Sequence, residues 1–158
     1  MRTLIQRVLE ARVESGGRII GSIGPGILLF AGFEKGDTPD LVCRAMEKAV
    51  LMRIFEDGAG KLNLSVKDTG GEALLVSQFT LASDCAHGHR PGFDRGLRSA
   101  EARPLYDLAL ERLKSLMPGR VQSGAFGEYM KASLVNDGPC TFMLDLPPEP
   151  FAQGRSMH

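Results

Sequence analysis

The sequence predicts an α+β fold: a single domain with a strongly twisted, mainly antiparallel, barrel-like sheet and two main helices packed on it. Three observations carry that expectation. The first third of the chain alternates apolar and polar residues between Gly-rich turn signals, as strands do. Two later segments repeat apolar residues at helical spacing behind start signals. No internal repeat or linker divides the 158 residues. A chain near that length typically buries roughly 68–70% of its unfolded surface in one core.

The elements follow in order. Leu4–Val13 sets Ile5, Arg7, Leu9, Ala11 and Val13 on one side and Gln6, Val8, Glu10 and Arg12 on the other, an imperfect alternation suited to a curved sheet. Ser15-Gly16-Gly17 reads as a hairpin turn. Arg18–Ile23 and Ile27–Phe33 follow as strands, separated by a tight turn at Gly24-Pro25-Gly26. The run from Ile27 to Ala31 has no polar interruption, which places it in the centre of the sheet, buried on both faces. Asp37/Thr38-Pro39 starts a helix with an N-cap acceptor and a proline at the first helical position. Leu41, Val42, Ala45, Met46, Ala49 and Met52 form its apolar stripe, with Cys43 near the edge. Arg53-Ile54-Phe55 reads as a short strand and Glu56–Lys61 as a loop.

Ala73–Leu81 is the most β-prone segment. The aperiodic stretch Ala82–Arg98 has the length of a functional loop. A second helix opens near Ser99, an N-cap candidate, with Glu101 in the first turn where the helix dipole favours an acid. Leu105, Leu108, Ala109, Leu113 and Leu116 make its stripe, and Pro118-Gly119 ends it. Arg120–Phe126, Tyr129–Asn136 and Cys140–Leu146 complete the strands, the last two joined by Asp137-Gly138-Pro139. The domain spans residues 1–146, and the Pro-rich, polar 147–158 is expected to be a disordered tail.

Composition narrows the function. Hydrophobic residues at 43% and charged residues at 24% are those of a globular domain and exclude a disordered chain, a collagen-like repeat and a coiled coil. No stretch approaches the ~18–20 apolar residues of a membrane helix, and charges run through the N-terminus where a signal peptide would be apolar. A cytoplasmic location is expected. Three scattered cysteines, Cys43, Cys85 and Cys140, argue against a disulfide framework. Lys+Arg equals Asp+Glu at 19 each, so any nucleic acid must be engaged through a local patch.

Four constellations could carry chemistry. Ser77-Gln78-Phe79-Thr80 ends the β-prone segment and, read as a strand, puts Ser77 and Phe79 on one face and Gln78 and Thr80 on the other. Two hydroxyls and an amide there could bind a carbonyl; a plain sheet strand is the alternative. Asn136-Asp137-Gly138-Pro139-Cys140 reads as a hairpin connection whose carbonyls suit a ligand amine, though only about 5–6% of X–Pro bonds are cis. Cys85, His87 and His89 superficially resemble a metal nest, yet no recognisable further ligand group accompanies them. Arg90, Arg95, Arg98 and Arg103 form the one concentrated basic patch, a candidate for phosphate contact. No P-loop, dinucleotide fingerprint, nucleophile elbow or HExxH motif occurs.

Taken together, MRTLIQRV, GSIGPGILLFAG, RIFEDGAGKLNLSV, LLVSQFTL, GHRPGFD and SLVNDGPCTF resemble the D-aminoacyl-tRNA deacylase family in order and spacing, from Met1 to about Asp145. Cys140 stands where the family pattern has an aliphatic residue, and Gly92 where it has a serine. The resemblance implies a homodimer with active sites at the subunit interface. Ser77, Gln78, Phe79 and Thr80 would line one subunit's pocket, and Gly138-Pro139, in cis, would reach in from the other. Asn136, Met130 and Arg90 join them as substrate-binding candidates. The implied substrate is D-aminoacyl-tRNA, held by its 3′-terminal adenosine, and also glycyl-tRNA, including glycine mischarged on tRNA-Ala. No metal or organic cofactor and no membrane is implied.

The chemistry is coherent. The ester sits beside a ribose 2′-OH that can assist attack, so the protein need supply only orientation and oxyanion stabilisation. The backbone N–H groups of Gln78 and Phe79 are the expected donors. Thr80 as nucleophile, a non-catalytic nucleic-acid-binding module, and a metal hydrolase built on Cys85, His87 and His89 stand as alternatives.

Overall fold

The computed structural model describes residues 1–147. The expected tail lies, from 148 onward, outside the described residues. Strand β1 (Arg2–Ser15) turns at Gly16-Gly17 into β2 (Arg18–Ile23), and β3 (Gly26–Gly32) follows. Both positive-φ glycines of that turn, at 56° and 78°, occupy backbone that a side chain disfavours.

The expected turn at Gly24-Pro25-Gly26 is not a reversal. β2 and β3 run in the same direction and pair with β1 in one register, Ala11 opposite Ile23 and Val8 opposite Gly26. The two form one long strand with a kink, because Pro25 has no N–H to offer the ladder. The phase of β1 shifts instead at a bulge against the last strand of the sheet, where Val8 and Glu10 pair with the consecutive residues Asn136 and Val135 and Leu9 is left over. Val8 is 1% exposed and Leu9 52%. The expected grouping of Leu9 with Ala11 and Val13 on one side is therefore corrected: Leu9 is exposed, and Val8 joins Ala11 and Val13 in one core.

Helix α1 (Pro39–Leu51) starts as expected, the Leu41 N–H donating to Thr38 Oγ1 at 3.3 Å. The short strand after it begins two residues later than expected, as β4 (Phe55–Glu56) paired with β5 (Leu62–Leu64). Strand β6 (Glu72–Ser77) lies parallel to β3, and β7 (Val121–Ser123) parallel to β6. β3 is thus central, with Ile27, Leu29 and Ala31 in the core beneath the helices and Leu28 in the second core inside the curled sheet. Ala73 and Leu75 of β6 divide from Leu74 and Val76 in the same way. Two cores on opposite faces explain why these strands read as unbroken apolar runs. The sheet nearly closes as a barrel where β2 meets β7: a Cβ on Gly21 would lie 2.8 Å from the Ser123 carbonyl oxygen.

Helix α2 (Ser99–Leu116) is capped by Arg98, not Ser99, and the Arg98 N–H donates to Glu101 Oε2 at 3.3 Å. Its fully buried stripe is Ala102, Tyr106, Ala109 and Leu113, with Leu105, Leu108 and Leu116 at the edges. Small residues and one ring let this helix approach the sheet closely, so the leucine stripe is rotated from its expected place.

The final strand departs most from expectation. β8 (Lys131–Asp145) is one continuous strand antiparallel to β1, with Val8 opposite Asn136 and Gln6 opposite Thr141. Asp137-Gly138-Pro139-Cys140 bulges out opposite the single residue Arg7 and is no hairpin connection. A bulge and a turn draw on the same residue types.

Candidate functional site

A cavity of about 460 Å³ opens beyond the carboxyl ends of parallel strands β3 and β6. Ser77, Gln78 and Phe79 form one side, Phe30 and Phe33 the floor, and Phe126 to Met130 the opposite wall. Substrate crevices in parallel sheets commonly sit past the strand ends, where main-chain groups leave the ladder.

The strand expected to continue to Leu81 stops at Ser77, and Phe79–Ala82 is a turn of 3₁₀ helix. β3 ends at Gly32, so the ladder has no partner beyond that point. The turn redistributes the main-chain donors. The Gln78 N–H donates to Ala31 O at 2.8 Å, which removes it from the expected oxyanion pair. The N–H groups of Phe79 and Thr80, at the start of the 3₁₀ turn, have no acceptor among the described residues. Gln78 Nε2 donates to Thr80 Oγ1 at 2.5 Å. Phe79 is exposed, its ring 5.4 Å from that of Phe93 in the loop before α2.

The wall from 124 to 130 is pinned from three directions. Ser15 Oγ donates to Glu128 Oε2 at 2.5 Å. The Gly124 N–H donates to Leu75 O at 2.9 Å, and the Tyr106 hydroxyl lies within 3.1 Å of Leu75 O and 3.3 Å of Gly124 O. Burial pushes the Tyr106 phenol up to about 12. Its ring backs Phe126 at 5.3 Å, and the Arg103 guanidinium covers Phe126 at 5.5 Å.

Gly138-Pro139 is a cis peptide, and Gly138 has a φ of 132°. Neither residue lines the cavity of Ser77 and Phe79 in the same chain. Their bulge is held elsewhere, on the middle of β1. Asn136 clamps its ends: Nδ2 donates to Cys140 O at 3.1 Å and Oδ1 accepts from the Cys140 N–H at 2.7 Å. Arg7 braces it from beneath. Arg7 Nε donates to Asp137 O at 3.1 Å and pairs with Asp137 Oδ2 at 3.0 Å, while Nη1 donates to the buried carbonyl of Ile54 at 2.7 Å. A Cβ on Gly138 would lie 3.0 Å from the Cys140 nitrogen and 3.2 Å from Arg7 Nη2.

Of the sequence-predicted residues, Ser77, Gln78, Phe79 and Met130 therefore meet in the cavity. Thr80 touches Gln78 just outside it, and Asn136, Gly138 and Pro139 form the separate bulge. Arg90 lies in neither, lining a smaller cavity of about 220 Å³ with His87 and Arg95. Among the described residues no cluster of three His, Cys, Asp or Glu side chains could hold a metal ion; Cys85 contacts Ser83 instead. No helix among them is long and apolar enough to cross a membrane. Sequence reasoning missed Arg7, which looks like any charged strand residue until the bulge above it is seen. It also missed Tyr106, whose signal was its i+4 spacing from Ala102.

These features define a barrel-like α+β domain with a strand-end cleft that offers main-chain donors, and with a braced Gly-Pro bulge on another face. The family model described as D-Tyr-tRNA(Tyr) deacylase matches residues 4–145, and the chain belongs to that family. A D-aminoacyl-tRNA deacylase of Akkermansia muciniphila is 50% identical over 145 residues, covering 92% of this chain and 97% of that one. One of Thermodesulfovibrio yellowstonii is 47% identical over 92% of this chain and 99% of its own. Among solved structures, a c-Myc DNA unwinding element binding protein superposes with a TM-score of 0.89 at 37% identity, over 93% of this chain and 99% of that one. A probable eukaryotic D-amino acid tRNA deacylase shares the fold at a TM-score of 0.79 and 17% identity, over 92% and 98%.

Proposed function

We propose that the protein is an editing hydrolase that cleaves the ester of D-aminoacyl-tRNA, releasing the D-amino acid and tRNA, and that it accepts glycyl-tRNA, including glycine mischarged on tRNA-Ala. It works in the cytoplasm as a homodimer, each site joining the Ser77–Thr80 turn of one copy to the Gly138-Pro139 bulge of its partner. The observation that carries this reading is the split geometry just described: free main-chain donors at Phe79 and Thr80, and a braced bulge that does not line its own chain's cleft.

The ester carbonyl lies against the Phe79 and Thr80 N–H groups, which stabilise the oxyanion as water attacks. One such donor is worth roughly 10²–10³ in rate. The neighbouring ribose 2′-OH assists the attack, so no side-chain nucleophile is required. The Gly138 and Pro139 carbonyls hold the substrate amine, and their backbone fills the space an L side chain would need. Enantiomers are thus separated by a clash and not by recognition of the side chain. Glycine has nothing to reject and passes; D side chains point outward.

A non-catalytic nucleic-acid-binding dimer is the second reading, favoured by the name of the neighbour at 37% identity. The equal count of acidic and basic residues, 19 each, speaks against it, since such binding rests on neutralising phosphates. Deacylation of D-tyrosyl-, glycyl- and L-tyrosyl-tRNA, beside gel shifts with duplex DNA and uncharged tRNA, separates the two. Turnover of the first two substrates with the third spared is expected. Rapid hydrolysis of L-tyrosyl-tRNA would sink the steric argument, and binding without any turnover would favour the second reading.

A further inference from the structure

Among the described residues the strongly exposed aromatic rings are Phe79 at 65%, Phe93 at 47% and Tyr129 at 82%. All three belong to the cavity or its rim: Phe79 and Tyr129 line it, and Phe93 packs on Phe79. Phe79 and Phe93 partly cover each other. Tyr129 has neither a ring nor a hydrogen-bond partner among the described residues, although its backbone is fixed on both sides. Glu128 before it is tied to Ser15, and Met130 after it packs into the space beside Gly124, where a Cβ would come within 2.7 Å of its sulfur. A ring held out on an anchored backbone loses little freedom when something stacks on it. Two residues on, at the start of β8, Lys131 is exposed and has no ion-pair partner among the described residues.

We propose that Tyr129 and Lys131 dock the nucleotide that precedes the esterified adenosine, its base stacking on the ring and its phosphate meeting the ammonium. The inference rests on the deacylase reading. The 3′ end of a tRNA is single-stranded, and unpaired bases are taken up by aromatic faces with a cation near the backbone. Residues two apart have Cα atoms at most about 7 Å from each other, so the apolar ring and the basic ammonium are within reach of one nucleotide. That pairing matches a nucleotide better than it matches the apolar surface of a second copy.

The test is a cycle between protein and RNA, using an RNA minihelix ending in CCA and charged with D-tyrosine. Tyr129→Ala should raise KM by roughly 5- to 150-fold, the span of base–aromatic stacking, with little change in kcat. Tyr129→Phe should restore the original KM. With an abasic residue at the penultimate position, the rise caused by Tyr129→Ala should vanish, since the two changes delete one contact. In a second arm, 2-aminopurine at that position of an uncharged minihelix should lose fluorescence on binding, and less so with Tyr129→Ala. An equal KM rise on the abasic substrate overturns the proposal. So does unquenched 2-aminopurine in wild-type protein that turns over D-tyrosyl ester. A change of oligomeric state by light scattering in Tyr129→Ala, with quenching unaltered, also overturns it and assigns the ring to a partner copy. Quenching without any turnover would support the docking point while removing the deacylase reading.

Discussion

Thr80 stands beside the proposed chemistry without a base to activate it. Its hydroxyl oxygen accepts from Gln78 Nε2, an amide NH₂ only donates, and among the described residues no other side chain is hydrogen-bonded to the hydroxyl to take its proton. A neutral hydrogen bond is worth about 0.5–1.5 kcal/mol, and about 1.4 kcal/mol of barrier is tenfold in rate. Thr80→Ala is accordingly expected to keep turnover of D-tyrosyl-tRNA within about tenfold of wild type. Loss of all turnover in a folded variant that still binds substrate would make Thr80 the nucleophile. Tyr106 acts on stability and on the wall. Its phenol is pushed up to about 12 by burial, above the ordinary value of 10. The unfolded chain therefore ionises first, and the stabilisation from Tyr106 is complete below pH 10 and is lost as pH rises toward 12. Urea denaturation should find Tyr106→Phe less stable by about 0.5–1.5 kcal/mol near neutrality. Above pH 10 the wild-type advantage should shrink by about 1.4 kcal/mol per pH unit. A constant difference across that range would contradict the assignment.

At the level of elements, the site depends on how closely β3 approaches the turn after β6. A Cβ on Gly32 would lie 2.9 Å from the Gln78 carbonyl oxygen and 2.9 Å from Leu81 Cβ, so Gly32→Ala must push the 3₁₀ turn outward. A displacement near 1 Å at a reacting centre can cost about 10²-fold. Gly32→Ala should thus lower kcat/KM on D-tyrosyl-tRNA by about that factor while circular dichroism stays native. Undiminished activity would show that the turn's placement is not critical. The same elements explain what is legible in the residues. Thr38-Pro39, the double-faced β3 and the existence of both helices follow from capping and periodicity alone. The kink at Gly24-Pro25 and the bulge at 137–140 look like reversals in the sequence, because glycine and proline report backbone freedom and not chain direction. The β-prone segment ends as a strand at Ser77, and its remainder from Phe79 folds into a 3₁₀ turn because tertiary geometry, here the end of β3, overrides propensity. Arg7 and Tyr106 become visible only once partners distant in sequence are in place.

At the scale of the whole molecule, a barrel-like sheet filled on one side and roofed by two helices on the other makes a rigid frame. It fixes the Ser77–Thr80 turn and the Gly138-Pro139 bulge in place, yet apart. The proposal that two copies unite them is most directly tested by complementation between two damaged chains. Gly32→Ala disables the turn, and Gly138→Ala disables the bulge, where φ is 132° and a Cβ would meet the Cys140 nitrogen at 3.0 Å. Each variant alone, once shown to be folded, should hydrolyse D-tyrosyl-tRNA poorly. Coexpressed, they should recover about a quarter of wild-type activity, since half of randomly paired dimers are mixed and each carries one intact site. Coexpressed chains that form mixed dimers but stay as inactive as either parent would contradict a site shared between subunits.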